Sequence, residues 1–162
     1  MKSFTDNLGR AWTLVVNVAA IKRVRALCGV DLNSIIEVED GKPTTKLLER
    51  LSTDPVLLVD VLYAVCKSEC DSKNVTDEDF GAAMAGDAIE NATAALLDEV
   101  VDFFPAAKRL AFRRILSASR RFEEAARKRL QTVLEDGKFE ENLASELERL
   151  TGLSPSAPES AE

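Results

Sequence analysis

The chain has 162 residues, 46% hydrophobic and 30% charged, with a net charge of −7. That balance excludes a disordered polymer and fits one soluble globular domain with a real core. It contains no histidine, which excludes Ser/His and Cys/His nucleophilic catalysis, histidine metal sites and the usual proton shuttle at neutral pH.

In chain order, Ser3 to Thr5 reads as a short strand and Asp6-Asn7-Leu8-Gly9 as a turn. Ala11 to Val16 is a second strand with Trp12, Leu14 and Val16 on one face. No apolar leader precedes them, since Met1 to Arg10 lacks the core of a secretory signal. A cytoplasmic protein is expected. Asn17 is a capping residue for a helix whose Val18, Ile21, Val24 and Leu27/Cys28 recur at helical spacing, with Lys22, Arg23 and Arg25 on the outer side. Gly29 is its expected terminator.

Ser34 to Val38 is predicted as a third strand able to pair with the hairpin. Glu39-Asp40-Gly41-Lys42-Pro43 is the turn after it, and Thr45 to Leu51 a short helix. Thr53-Asp54-Pro55 opens a helix from Val56 to about Lys67, apolar nearly all round and therefore the buried centre, followed by a polar loop from Ser68 to Val75. The Val56 to Cys66 run is the longest apolar stretch, and Asp60 interrupts it well short of a membrane span. Three cysteines without an export signal point to free thiols. Cys66 and Cys70 are four apart with no further ligand nearby, so small buried side chains are the expectation and no metal or cofactor is expected.

Thr76 caps a helix with Asp77, Glu78 and Asp79 in its first turn. Gly86 breaks it, and Asp87 restarts a helix to Phe104 with a stripe of Ile89, Ala92/Thr93, Leu96, Val100 and Phe103/Phe104. Pro105 starts a long amphipathic helix to about Leu134. Its stripe is Phe112, Ile115/Leu116, Ser119, Phe122, Ala126, Leu130 and Val133/Leu134, expected to pack on the body. Gly137 stops it. A last helix, Phe139 to Leu150, ends at Gly152, and 154–162 reads as a disordered tail. The fold class is therefore α+β, mainly α-helical. A small N-terminal β start (1–43) precedes a bundle of about six helices (44–153), the two forming a single domain over 1–153.

Charge is sharply partitioned. Residues 105–131 hold nine Lys/Arg against Glu123 and Glu124, a net +7 beside −14 for the remainder. Arg109, Arg113, Arg120 and Arg127 form one row along the helix, and Arg114, Arg121 and Lys128 the adjacent one. Three readings stand: a solvated face balanced by the acidic remainder, a surface for an acidic or helical protein partner or a second copy, and a nucleic-acid footprint. The acidic field of the whole chain and the lack of aromatics among the arginines argue against nucleic acid. Nothing in the residue pattern assembles an enzyme.

The order Phe4-Thr5-Asp6-Asn7-Leu8-Gly9-Arg10-Ala11-Trp12, then Ile21-Lys22-Arg23-Val24-Arg25, Asp54-Pro55-Val56-Leu57-Leu58, Thr76-Asp77-Glu78-Asp79-Phe80, Met84-Ala85-Gly86-Asp87-Ala88 and Phe103-Phe104-Pro105 resembles the tail assembly chaperones of long-tailed bacteriophages, over roughly residues 1–105. The resemblance implies a small cytoplasmic protein that keeps a long helical tape-measure protein soluble and assists tail-tube assembly. It transfers no individual site residue, and the basic helix lies outside it. The alternatives are a structural tail or head–tail connector component, and a nucleic-acid-binding regulator using the basic helix 108–129.

Overall fold

The computed structural model describes residues 1–39, 42–135 and 138–151. The Asp40-Gly41 centre of the expected turn, the expected helix stops at Gly137 and Gly152, and the tail at 154–162 lie outside the described residues. The chain divides into two units, Met1–Arg113 and Arg114–Glu162, where the sequence leads to a single domain through residue 153. The α+β, mainly helical class holds: two small antiparallel sheets and seven α-helices occur among the described residues.

In the first unit, β1 (Lys2–Thr5) pairs with β2 (Ala11–Leu14), Phe4 opposite Trp12. Alternation puts Trp12 and Leu14 inside, with Val16 buried just beyond the strand. The turn between the strands is built on Asp6. Its Oδ1 accepts the N–H groups of Leu8 and Arg10, and its Oδ2 accepts Arg10 Nε–H at 2.6 Å and Trp12 Nε1–H at 2.9 Å. Burial alone would raise this carboxyl, but the donors from Trp12 and Arg10 outweigh it and hold it below the ordinary carboxylate value. Gly9 completes the turn at φ 77°, a conformation open to glycine at little cost.

Helix α1 (Val18–Cys28) starts as expected, Asn17 Oδ1 accepting from Ala20 N–H at 2.9 Å. It ends at Gly29 in the left-handed region, φ 67°, whose N–H donates to the Arg25 carbonyl. Arg23 is not simply solvated. Its Nε–H reaches the Ala64 carbonyl at 2.7 Å and clamps α1 to the central helix.

Residues 32–39 depart from the expected third strand. Leu32–Ser34 form a 3₁₀ turn capped by Asp31, and Ile35 and Ile36 are both buried. The strand is confined to β3 (Glu37–Glu39), which pairs with β4 (Lys42–Thr44) as a separate ribbon. Two consecutive buried isoleucines cannot sit on one face of a strand, so the apolar run is spent on the core before the strand begins.

Helix α2 (Lys46–Thr53) buries Leu47, Leu48 and Leu51. Helix α3 (Pro55–Ser72) has Asp54 as its cap, Oδ1 accepting from Leu57 N–H, and Pro55 in the first turn. It is the centre of the unit, packing against α1, α2 and β2. Leu58, Val61, Leu62, Ala64, Val65, Cys66 and Cys70 are buried, and each large apolar side chain among them contributes about 1.5–3 kcal/mol. The helix continues to Ser72 through the segment expected to be a loop. Cys70 supplies one more buried turn, and the i,i+4 pairs Lys67–Asp71 and Glu69–Lys73 run along its outer side. Asn74, at φ 53°, then ends it, with Val75 N–H on the Cys70 carbonyl.

Helix α4 (Asp77–Ala82) has a full capping box: Thr76 Oγ1 accepts from Asp79 N–H, and the Asp79 carboxylate accepts from Thr76 N–H. It carries Phe80 into the core, against Phe4, Trp12 and Tyr63 at ring-centroid distances of 6.4, 5.1 and 5.7 Å. Helix α5 (Asp87–Phe103), opened by Gly86 at φ 53°, buries Ala88, Ala92, Leu96 and Val100 and packs on β1. Pro105 follows the extended Phe104, and α6 (Ala106–Glu135) begins, its first two turns fixed by Phe112 edge-on to Phe104 at 5.0 Å.

The second unit holds the remainder of α6 and α7 (Lys138–Thr151).

Candidate functional site

The seven basic residues singled out by charge divide between the units. Arg109 and Arg113 belong to the first. Arg109 is half-buried, and Arg113 donates to Asp102 Oδ1 at 2.6 Å, holding that carboxyl below its ordinary value. The charge of Arg113 is therefore committed to an ion pair, which the row pattern did not reveal. Arg114, Arg120, Arg121, Arg127 and Lys128 are exposed along α6 in the second unit. The two rows are real helical rows, drawn together by the 3.6-residue period alone.

The apolar stripe runs along the other side of α6 from the Arg114, Arg121 and Lys128 row. Its Phe112 and Leu116 are buried. Phe122 is 78% exposed, Leu130 60%, and Val133 and Leu134 about half. Helix α7 repeats the pattern, with Leu143 about half exposed and Leu150 75% exposed. Amphipathicity was legible in the sequence, but what covers a stripe is a tertiary fact that periodicity cannot supply. Helices α6 and α7 of the second unit thus carry exposed apolar residues alongside charged ones.

A second feature escaped the sequence because its parts are remote in the chain. Helices α3, α4 and α5 enclose a cleft of about 330 Å³ lined by Val59, Met84 and Ile89, with the carboxylates of Asp60, Asp77 and Glu78 around it. Burial, then the neighbouring charges of Asp77 and Asp54, push the Asp60 carboxyl up. Asp60 had been visible as a break in an apolar run, and Asp77 and Glu78 as helix-start charge. Only the fold unites them.

All three cysteines are free thiols. Cys66 and Cys70 are buried in α3 and Cys28 is half-buried. Burial raises the Cys66 thiol to about 12 and those of Cys28 and Cys70 to about 11, with nearby carboxylates adding to each. Such thiols are protonated at neutral pH and poor nucleophiles. Among the described residues, no three Cys, Asp or Glu side chains gather as a metal-ligand group, and no helix is long and apolar enough to cross a membrane.

No protein-family model, curated protein or solved structure matches the chain. The functional reading rests on its own surfaces.

Proposed function

We propose that this protein is a non-enzymatic, cytoplasmic helix-binding protein that acts as a tail assembly chaperone, keeping a long tape-measure protein soluble until tail-tube subunits enclose it. The observation that supports this most is the exposed apolar and charged surface of α6 and α7. Apolar residues exposed along a helix with basic margins form a surface for an amphipathic helix whose own margins are acidic. A tape-measure chain exposes long apolar helical stripes before assembly, and a small acidic protein bound along them adds charge that opposes aggregation. The resemblance in residues 1–105 adds the specific role.

The test is binding of the purified chain to a long amphipathic helical protein, with and without Arg120→Glu and Arg127→Glu together. These are exposed positions, so the fold should survive, as the buried and sole Trp12 can report by fluorescence. Association should slow by about tenfold or more at low salt. A folded variant that binds and solubilises the partner as before overturns the proposal. Retention of the protein in finished particles favours a structural tail component. Steeply salt-dependent DNA binding, lost in the variant, favours the nucleic-acid reading.

A further inference from the structure

The cleft bounded by α3, α4 and α5 carries groups that the fold leaves idle. Val56, Val59 and Asp60 lie at i, i+3 and i+4 on α3, so one helix face supplies both apolar wall and carboxylate. Buried Met84 and half-buried Ile89 complete the wall, while Val56 is 70% exposed. Asp77 and Glu78 bring two more carboxylates from the first turn of α4. Among the described residues, none lining the cleft is basic, and no side-chain hydrogen bond or ion pair engages Asp60, Asp77 or Glu78. Gly81 lies on the wall as well. Its backbone is not in the left-handed region, and a Cβ there would meet only Val59 Cγ1 outside its own helix, at 4.0 Å. Glycine is the poorest helix former after proline, so the helix itself would do better with a side chain here. The missing one keeps the cleft open.

The volume, about 330 Å³, stands at the bottom of the range for small-ligand sites, roughly 300–1,000 Å³. It therefore suits one long side chain rather than a large molecule. An apolar wall beside exposed carboxylates fits a group with the same two parts. An aliphatic stem packs on Val59, Met84 and Ile89, and a cationic head stays in water among the acids. Lysine and arginine are the side chains built that way. We propose that this cleft is a binding site for a lysine or arginine side chain carried on an apolar segment of a partner protein. The exposed Val56 argues for the segment. A free amine would leave it in water, whereas apolar neighbours of a bound lysine cover it. Burial and the like charges of Asp77 and Asp54 already oppose ionisation of Asp60, so an incoming cation relieves a repulsion among the carboxylates. The cleft lies within the first unit and has the opposite sign to the basic rows of α6. It stands or falls independently of the chaperone reading.

The experiment is a titration of the full chain with a capped peptide, alanine–leucine–lysine–leucine–alanine, followed by NMR at the methyl groups of Val56, Val59, Met84 and Ile89. Those methyls should shift together and saturate. Exchanging the peptide's lysine for norleucine should weaken binding about fivefold or more, as should Asp60→Asn with Glu78→Gln in the protein, since several modest ion pairs are lost together. Gly81→Leu, whose side chain enters the cleft, should abolish binding. Urea unfolding followed by Trp12 fluorescence checks the fold of each variant. Asp60→Asn should be at least as stable as the wild type, because the folded surroundings oppose the charge it removes. If Gly81→Leu unfolds, the charge variant carries the test. A lysine peptide that shifts none of the cleft methyls overturns the proposal, as do equal binding of the norleucine peptide and undiminished binding by a folded Gly81→Leu. A clear loss of stability in Asp60→Asn also overturns it, since the carboxylate would then serve the fold. Butylamine binding as tightly as the lysine peptide assigns the cleft to free amines and overturns the protein partner.

Discussion

Replacing Asp6 by asparagine should damage the first unit far more than its place in a surface turn suggests. The amide oxygen can still accept from the Leu8 and Arg10 N–H groups, but the amide NH₂ must then face Arg10 Nε–H and Trp12 Nε1–H, now 2.6 and 2.9 Å from Oδ2. Two acceptor bonds are lost, one of them to a guanidinium, and the fully buried indole N–H is left facing another donor. A bond to a charged group is worth about 1.5–3 kcal/mol, and an unsatisfied buried donor costs about 1–3 kcal/mol. The expected loss is therefore about 3–5 kcal/mol at neutral pH, or a fall in Tm of at least about 10 °C. Urea unfolding followed by Trp12 fluorescence measures it directly. Asn7→Ala, which removes only an exposed bond to the Ala85 carbonyl, is the control and should cost under about 1 kcal/mol. The pH dependence has a definite sign. The folded carboxyl lies below its ordinary value near 3.8, so its contribution is complete above that pH and vanishes as pH falls through the folded value. The gap between wild type and Asp6→Asn should narrow in acid. A loss below about 1 kcal/mol at pH 7, or a gap that stays constant into strong acid, would refute the account of the turn.

The core makes a second prediction. Leu62→Ala, at a fully buried position of α3, should cost about 2–5 kcal/mol, and a value under about 1 kcal/mol in the same urea assay would show that α3 is not the centre of the unit. The thiols make a third. With the Cys28 thiol raised from 9.0 to about 11, its thiolate fraction at neutral pH falls roughly 100-fold. Labelling in the native chain should be slower by about that factor than in urea, and one rapidly labelled thiol in the folded protein would contradict the burial described.

What could be read from the sequence was what is encoded locally. The Asn17 and Thr76 caps, the Thr53-Asp54-Pro55 helix start, the Gly29 stop and the inward Trp12/Leu14/Val16 face need only a few adjacent residues to declare themselves, and all are present. The end of α3 was misjudged because Ser68 to Ser72 is polar in composition. Its helicity comes from one buried cysteine and from pairs four residues apart, signals weaker than a turn-like composition. Ile35-Ile36 misled in the opposite direction, since a short apolar run fits a strand and a buried bend equally well. At the candidate surface, the arginine rows followed from periodicity. The ion pair that commits Arg113 to Asp102, the exposure of Phe122 and Leu130, and the acidic cleft all depend on what lies opposite in space.

The hairpin turn also has a consequence for how the chain is made. Asn7 holds the carbonyl of Ala85 through Nδ2, Arg10 holds that of Asp79, and Trp12 rests on Phe80. The hairpin residues thus find their binding partners only after some seventy more have been added to the growing chain. At roughly 5–20 residues per second, the indole and both strands wait for several seconds in an unfinished state. A nascent chain halted before Phe80 has its first strands but nothing to close them. The hairpin, made well before Phe80 and Ala85, is among the last parts of its unit to become native.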